Sequence, residues 1–463
     1  MSATLGQWVD VTQGYSNQPN TQVQGLSTDT RTLQPGEVYL ALRGERFDGH
    51  DFVEAAFEKG AAAVIVDHGY SKSISKAHLK VTDTLEALQA IAAHRRRQFA
   101  IPVVAVAGSN GKTTTKHLIA TLLEALGPIH STRGTLNNHI GVPLTLLELE
   151  QTHCAAVVEI GANHPNEVAA LTQLVAPTVG IVTNAGLEHL EGFGSLEGAA
   201  RAEGELFEGL QAQSLAVINL DDRFASMWQQ QASHCRVRTF SMRGNADVCL
   251  TSKIEFDDPS VQRFTVSVDG QKVDLVLPLA GAHNVANALA AIAVASALGV
   301  SLASIASQLT KVKPVSGRLQ IKTVADGRVV VDDTYNANPS SVTAALDVLS
   351  QLPQPWAMIF GGMGELGSES RDAHVQVGRE ARECGVEWLW TVGGDAELAT
   401  QAFGQKARHF SDVDSLLEQL RHSVPHFSTL LVKGSRFNKL ERVVSAMLDS
   451  SSSVRGATQC FIN

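Results

Sequence analysis

The chain has 463 residues, 44% hydrophobic and 18% charged, which suits a globular protein with ample core, and at about 100–200 residues per domain about three domains are expected. With 37 basic against 47 acidic residues the net charge is −10, which excludes a broad basic face for nucleic acid or anionic lipid while leaving an anionic small molecule open. The five cysteines (Cys154, Cys235, Cys249, Cys384, Cys460) form no C-x-x-C pair, so free thiols in a reducing, cytoplasmic setting are expected and a cysteine zinc site is not.

In chain order, residues 1–83 form a first α/β block. GEVYLAL (36–42) and AAAVIVD (61–67) read as short strands around the helix DFVEAAFEKG (51–60), which Gly60 closes. A second block, 84–313, opens with the helical periodicity of TLEALQAIAAHRRRQFA (84–100). VVAVAG (103–108) is an apolar, β-branched strand followed by a glycine turn and the helix TTTKHLIATLLEAL (113–126). AAVVEIG (155–161), TVGIVTN (178–184) and LAVINLD (215–221) repeat the pattern, predicting a parallel sheet wrapped by helices. Residues 247–279 alternate as strands and predict a β-rich appendage, and HNVANALAAIAVASALG (283–299) is an Ala-rich helix ended by Gly299. KVKPVSGR (311–318), with Pro314 and Gly317, is a predicted hinge. Beyond it VVVDD (329–333), WAMIFGG (356–362), WLWTVGG (388–394) and TLLVKGS (429–435) mark a third block, 314–463, of doubly wound Rossmann-like character. No apolar run reaches about 18 residues, so a membrane span is excluded.

The strongest chemical signal is Gly108-Ser109-Asn110-Gly111-Lys112-Thr113-Thr114, between an apolar strand and a helix. Glycines let backbone N–H groups turn inward around phosphate oxygens, and the helix N-terminus adds positive potential there. Lys112 is placed to reach β- and γ-phosphates and the Thr113 hydroxyl to ligate Mg²⁺, so the chain is expected to bind a nucleoside triphosphate. The motif departs from the common P-loop in one place, since Val106 stands where the first glycine is usual.

That departure, G-[ST]-N-G-K-T-T, resembles the loop of the Mur ligase family, which folylpolyglutamate synthases share, and further stretches resemble the family in the same order. VVEIGAN (157–163) and TNAGLEHLEGFGS (183–195) are similar to the segments whose Glu159 and His189 would hold Mg²⁺. LAGAHNVANALAA (279–291) implies Asn284 and Asn287 as nucleotide contacts, although Asn also suits a helix's first turn. SGRLQ (316–320) implies Arg318 as the arginine that reaches ATP from the third domain. STDTR (27–31) and LRGERFDGHDF (42–52) resemble the UDP-binding segments, implying Thr28, Thr30, Arg31, Glu45, Arg46, Phe47 and Asp48 around the uridine diphosphate. TLNNHIGVP (135–143) implies Asn137 and Asn138 at the sugar end. GGMGELG (361–367) is similar to a further motif with Gly362 in place of an aspartate, and LVKGSR (431–436) to the last one. Where members carry a lysine that is carbamylated near the metal, this chain has Glu203. That carboxylate is read either as a permanent substitute holding metal or as a solvated helix residue.

Within the family, DDTYNANPSS (332–341) resembles the signature of the members that add D-alanyl-D-alanine to UDP-N-acetylmuramoyl-tripeptide. It implies Asp333 at the ATP ribose and Asn336, Asn338 and Ser341 beside the dipeptide, though Asn338-Pro339-Ser340 would equally form an Asx turn and helix cap. The resemblance implies an ATP- and Mg²⁺-dependent amide ligase of peptidoglycan precursor synthesis acting through an acyl phosphate. It implies three domains (a small α/β UDP-binding domain, a central P-loop parallel-sheet domain and a Rossmann-like domain) and a chain expected to act as a monomer. Another amide ligase of the family is the nearest alternative, and a switch or motor NTPase a more distant one.

Overall fold

A computed structural model describes residues 3–44, 47–187 and 190–457. Three large sheets wrapped by helices follow one another along the chain, beside a small antiparallel pair of Ala3–Thr4 with Gln22–Val23. The first has five strands in the spatial order Tyr15–Ser16, His78–Val81, Ala63–Asp67, Val38–Leu40, Leu26–Ser27 and is parallel except for its first member.

The central sheet is larger than predicted. Six strands run parallel in the order Arg236–Ser241, Leu215–Asn219, Val179–Val182, Val103–Ala107, Ala155–Glu159, Ile129–Ser131. Val248–Leu250 pairs parallel to Arg236–Ser241, and the antiparallel strands Val261–Val268, Glu255–Asp258 and Gln271–Leu277 extend the edge. Residues 247–279 are therefore the continuation of the nucleotide sheet and not an appendage. The alternation of their side chains reports local pairing and is silent about which edge they join.

Side chains of the Val103–Ala107 strand alternate between two apolar layers. Val103, Ala105 and Ala107 pack with the helices Thr84–Arg97, Glu167–Val175 and Leu196–Glu208. Val104 and Val106 pack with Lys112–Leu123 and Ala282–Ala297. Thr84–Arg97 is capped by Asp83, whose carboxylate accepts from Leu85 and Glu86 N–H. The helix also joins the first domain to the second, since Leu5, Trp8, Ile65 and Leu79 share its apolar cluster. Each such side chain withdrawn from water contributes about 1.5–3 kcal/mol.

The third sheet runs in the order Gln320–Thr323, Val329–Asp333, Thr429–Lys433, Trp356–Gly361, Trp388–Val392, Ala407–Phe410, parallel except at Gln320–Thr323. Both faces are covered, by Val331, Met358 and Leu431 on one side and Val330, Ile359 and Val432 on the other. No helix among the described residues is long and apolar enough to cross a membrane.

Candidate active site

The central sheet places three segments side by side at the carboxyl ends of adjacent parallel strands, the usual ligand crevice of such sheets. Val103–Ala107 lies between Ala155–Glu159 and Val179–Val182, so Gly108, Glu159 and Thr183 emerge together. Val106 is paired with Glu159 and Ile181 inside the sheet. The strand therefore runs two residues further than in the common P-loop, and the turn begins at Gly108.

Two glycines in that turn are dictated by crowding. A Cβ on Gly108 (φ 118°) would stand 2.2 Å from Thr183 Oγ1, and one on Gly111 (φ 80°) would stand 2.5 Å from Asn287 Oδ1. Lys112 donates to the carbonyls of Gly108 and Ser109 at 2.5 and 3.1 Å. Ser109 Oγ accepts from Gly186 N–H at 2.7 Å, and Asn184 Oδ1 accepts from Asn110 N–H at 3.0 Å. Thr113 and Thr114 are buried in the first turn of the helix Lys112–Leu123. Asn284 and Asn287 are buried partners of one another, Asn287 Nδ2 donating to Asn284 Oδ1 at 3.0 Å. Neither caps its helix, whose N-cap is Gly281.

Glu159 is a buried carboxylate at the centre of the crevice. Its Oε1 accepts from Thr113 Oγ1 at 3.2 Å and from Asn137 Nδ2 at 2.9 Å. Its Oε2 is buried without a well-formed hydrogen bond, and the Lys116 ammonium stands 3.1 Å away. A hydroxyl and a carboxylate beside a phosphate loop suit Mg²⁺, which takes one or two carboxylates and completes its shell with phosphate and water. No group of three or more His, Cys, Asp or Glu gathers as a metal cage among the described residues. His189 lies outside the described residues. Glu203 is 3% exposed, so it is no solvated helix residue; its Oε2 accepts from Gly108 N–H at 2.7 Å, directly beneath the loop.

The third domain meets this loop. Arg318 Nη2 reaches Thr113 Oγ1 at 3.5 Å while its guanidinium lies 4.0 Å from the centre of the Tyr335 ring. Asn338 Nδ2 donates to Asn110 Oδ1 at 2.8 Å, and Asn110 Nδ2 donates to Ser340 Oγ at 3.2 Å. Asn338 is also the N-cap of Pro339–Leu349 in a capping box with Ser341, so both residues are engaged structurally. Asn336 accepts from Ala337 N–H with its side chain and from Lys433 with its carbonyl. Asp333 is committed to Lys433 at 2.6 Å and to Leu319 N–H at 3.2 Å. Burial pushes the Lys433 ammonium below its ordinary range, and Asp333 opposes that shift.

Of the first-domain residues, Thr28 and Thr30 are half-buried and Arg31 is exposed, bound in a fork to Asp29. Phe47 is 67% exposed. Asp48 caps the turn Gly49–Phe52 and contacts Arg43 at 2.7 Å and His50 Nδ1 at 2.6 Å. Glu45 and Arg46 lie outside the described residues. Asn138 Oδ1 accepts from Gly141 N–H at the start of the helix Gly141–Leu147, whereas Asn137 turns to Glu159. Lys116 and Asn184 belong to the crevice but were not singled out by sequence. The spacing of Lys112 and Lys116, one helical turn apart, was the available signal for the first.

Family models match along the chain: "Mur ligase family, catalytic domain" over residues 22–96, "Mur ligase middle domain" over 106–295 and "Mur ligase, glutamate ligase domain" over 317–436. A UDP-N-acetylmuramoyl-tripeptide–D-alanyl-D-alanine ligase of Escherichia coli is 39% identical, with 97% of this chain and 99% of that protein covered. One of the same name from Bacillus subtilis is 33% identical over 93% of this chain and 94% of its own length. A crystal structure of MurF from Acinetobacter baumannii superposes with a TM-score of 0.89 at 36% identity, covering 97% of this chain and 99% of that one. Matched domain by domain and along its length by relatives above the level at which family is in question, the chain belongs to the Mur ligase family.

Proposed function

We propose that the chain joins the amine of D-alanyl-D-alanine to the terminal carboxylate of UDP-N-acetylmuramoyl-tripeptide, using ATP, to give the pentapeptide precursor, ADP and phosphate. The observation that carries this reading is the full-length likeness to ligases of that name, in a chain whose nucleotide loop faces Arg318, Asn338 and Ser340 of the third domain. Another similar structure, 36% identical with a TM-score of 0.87, is that of the UDP-N-acetylmuramoylalanyl-D-glutamyl-2,6-diaminopimelate–D-alanyl-D-alanyl ligase of Acinetobacter baumannii. The tripeptide is accordingly taken to end in diaminopimelate.

A carboxylate is a poor acyl donor because oxide is a very bad leaving group. One carboxylate oxygen therefore bonds the γ-phosphorus as the bond to the bridging oxygen breaks and ADP leaves. The neutral amine then adds to the acyl carbon, and phosphate departs with the C–O electron pair as the nitrogen loses its proton. Two anions must meet in the first step, so Lys112 and Arg318 are read as the charges that neutralise them. Thr113 and Glu159 would hold Mg²⁺, which when bound screens the phosphate oxygens. The loop amides, anchored through Gly108 to Glu203 and through Asn110 to Asn184, are fixed before substrate arrives. The domain limits 1–83, 84–313 and 314–463 place substrate, nucleotide and amine on separate bodies, with closure about 311–318 bringing them together.

The test is to incubate protein with ATP, Mg²⁺, D-alanyl-D-alanine and the UDP-linked tripeptide ending in diaminopimelate or in lysine, following phosphate and product mass together. Phosphate release that needs both substrates, with a product heavier by one dipeptide less water, is expected. Phosphate release without either substrate would assign a switch or motor NTPase instead, and turnover only with another pair would overturn the substrate assignment.

A further inference from the structure

Lys116 follows Lys112 by one turn on the same helix, but its ammonium is used differently. Lys112 lies on the loop carbonyls of Gly108 and Ser109, whereas Lys116 donates to Gly134 O at 2.7 Å and stands 3.1 Å from Glu159 Oε2. The two side chains of this ion pair are 6% and 1% exposed. A charge so deeply withdrawn from water is tolerated only when it is compensated. Glu159 Oε1 has two hydrogen-bond donors, Thr113 and Asn137; Oε2 has none of good geometry, only the ammonium charge. Oε2 is thus the oxygen left for a hard cation, and Lys116 is the cation already beside it.

We propose that Lys116 is a positioning residue, the resident counter-cation of Glu159. It keeps the carboxylate buried and aimed while no metal is bound, and a divalent ion arriving at Oε2 displaces its ammonium onto the Gly134 carbonyl it already touches. Gly134 and Asn137 belong to one loop, so the exchange is felt in the segment that borders Glu159 from the other side. The inference rests on the reading of Glu159 as a metal ligand.

The two are separated by titrating Mn²⁺ into the nucleotide-free full chain and following the EPR signal of the free ion. Lys116→Met, which removes the charge and keeps the length, is expected to bind Mn²⁺ at least about tenfold more tightly than the parent, because a like charge no longer competes at the site. Lys116→Arg is expected to bind as the parent does, and Glu159→Gln to lose the site. Should Lys116→Met not fold, Lys116→Gln, which retains a donor for Gly134 O, goes through the same titration. If the uncharged variant binds no more tightly while Glu159→Gln has lost the site, the counter-cation role is overturned and the ligand reading stands. If the parent and Glu159→Gln bind alike, both fall.

Discussion

Replacing Asn110 by alanine removes two side-chain bonds between the nucleotide loop and the third domain, from Asn338 Nδ2 at 2.8 Å and to Ser340 Oγ at 3.2 Å. The loop's own bonds remain, since Asn110 N–H still donates to Asn184 and its carbonyl still accepts from Thr183 and Asn184. At about 1 kcal/mol for each neutral bond, the closed arrangement loses about 2 kcal/mol, or about 30-fold in kcat/KM. Asn338→Ala removes only the first bond, an expected loss of about tenfold or less, but it also deletes the cap on Ser341 N–H. That cap is worth about another 1 kcal/mol and should appear in the melting temperature and not in turnover. Because the two substitutions share a bond, the double variant should fall no further than Asn110→Ala, a coupling of about 1 kcal/mol. The assay is initial-rate phosphate release with D-alanyl-D-alanine varied, beside thermal melts of all four proteins. A selective rise in the dipeptide KM in Asn338→Ala, or losses that multiply in the double variant, would show that Asn338 touches the dipeptide and would refute the latch.

Four further outcomes are expected. Arg318→Lys should lower kcat by about 10²–10³-fold with little change in the KM for the UDP-linked substrate, and a kcat within about threefold of the parent would remove Arg318 from the chemistry. Gly111→Ala should weaken ADP binding in calorimetry by about 100-fold, because its Cβ would meet Asn287 Oδ1 at a φ of 80°; adding Asn287→Ala should recover part of that loss, and no recovery would refute the crowding account. Glu203→Gln should reduce ADP affinity by about tenfold through loss of the charge-assisted bond to Gly108 N–H, and Glu203→Lys should regain activity with bicarbonate; equal activity with and without bicarbonate would sink the idea that a carboxylate is required there. Burial holds His117, His130, His283 and His374 below their ordinary pKa, so the unfolded state binds the extra protons and stability falls as pH drops through about 6.5. His374 Nε2 accepts from Met363 N–H, so denaturant midpoints of His374→Gln from about pH 7 to about pH 5 should decline less steeply than the parent's, and an unchanged slope would count against this.

What was legible in the sequence is what short-range pattern encodes. The nucleotide turn shows because an apolar β-branched strand, two glycines, a lysine and two threonines are contiguous, and each does its work within a few residues of the next. The strands Arg236–Ser241 and Ile129–Ser131 are not legible in the sequence because their residues are largely polar or half-exposed, so neither a continuous apolar run nor a clean alternation marks them. Yet Arg236–Ser241 and Val248–Leu250 are what carry residues 247–279 onto the nucleotide sheet, and without them those strands read as a separate unit. The same limit governs the site. The Asn338 side chain bonds Ser340 and Ser341, two and three residues away, and Asn110 in another domain, and only the local pair leaves a trace in spacing. Glu203 meets Gly108 across 95 residues, so a carboxylate fixed under the phosphate loop and one on an open helix face have the same sequence. Lys116 is the sharper case: its partners are a backbone carbonyl, which has no sequence identity at all, and a glutamate at the end of a strand 43 residues away. Positioning residues of this kind act through groups brought beside them by topology, whereas the loop that grips phosphate is written out in order. The chemistry of this crevice is for that reason easier to read from the chain than the charges that hold it ready.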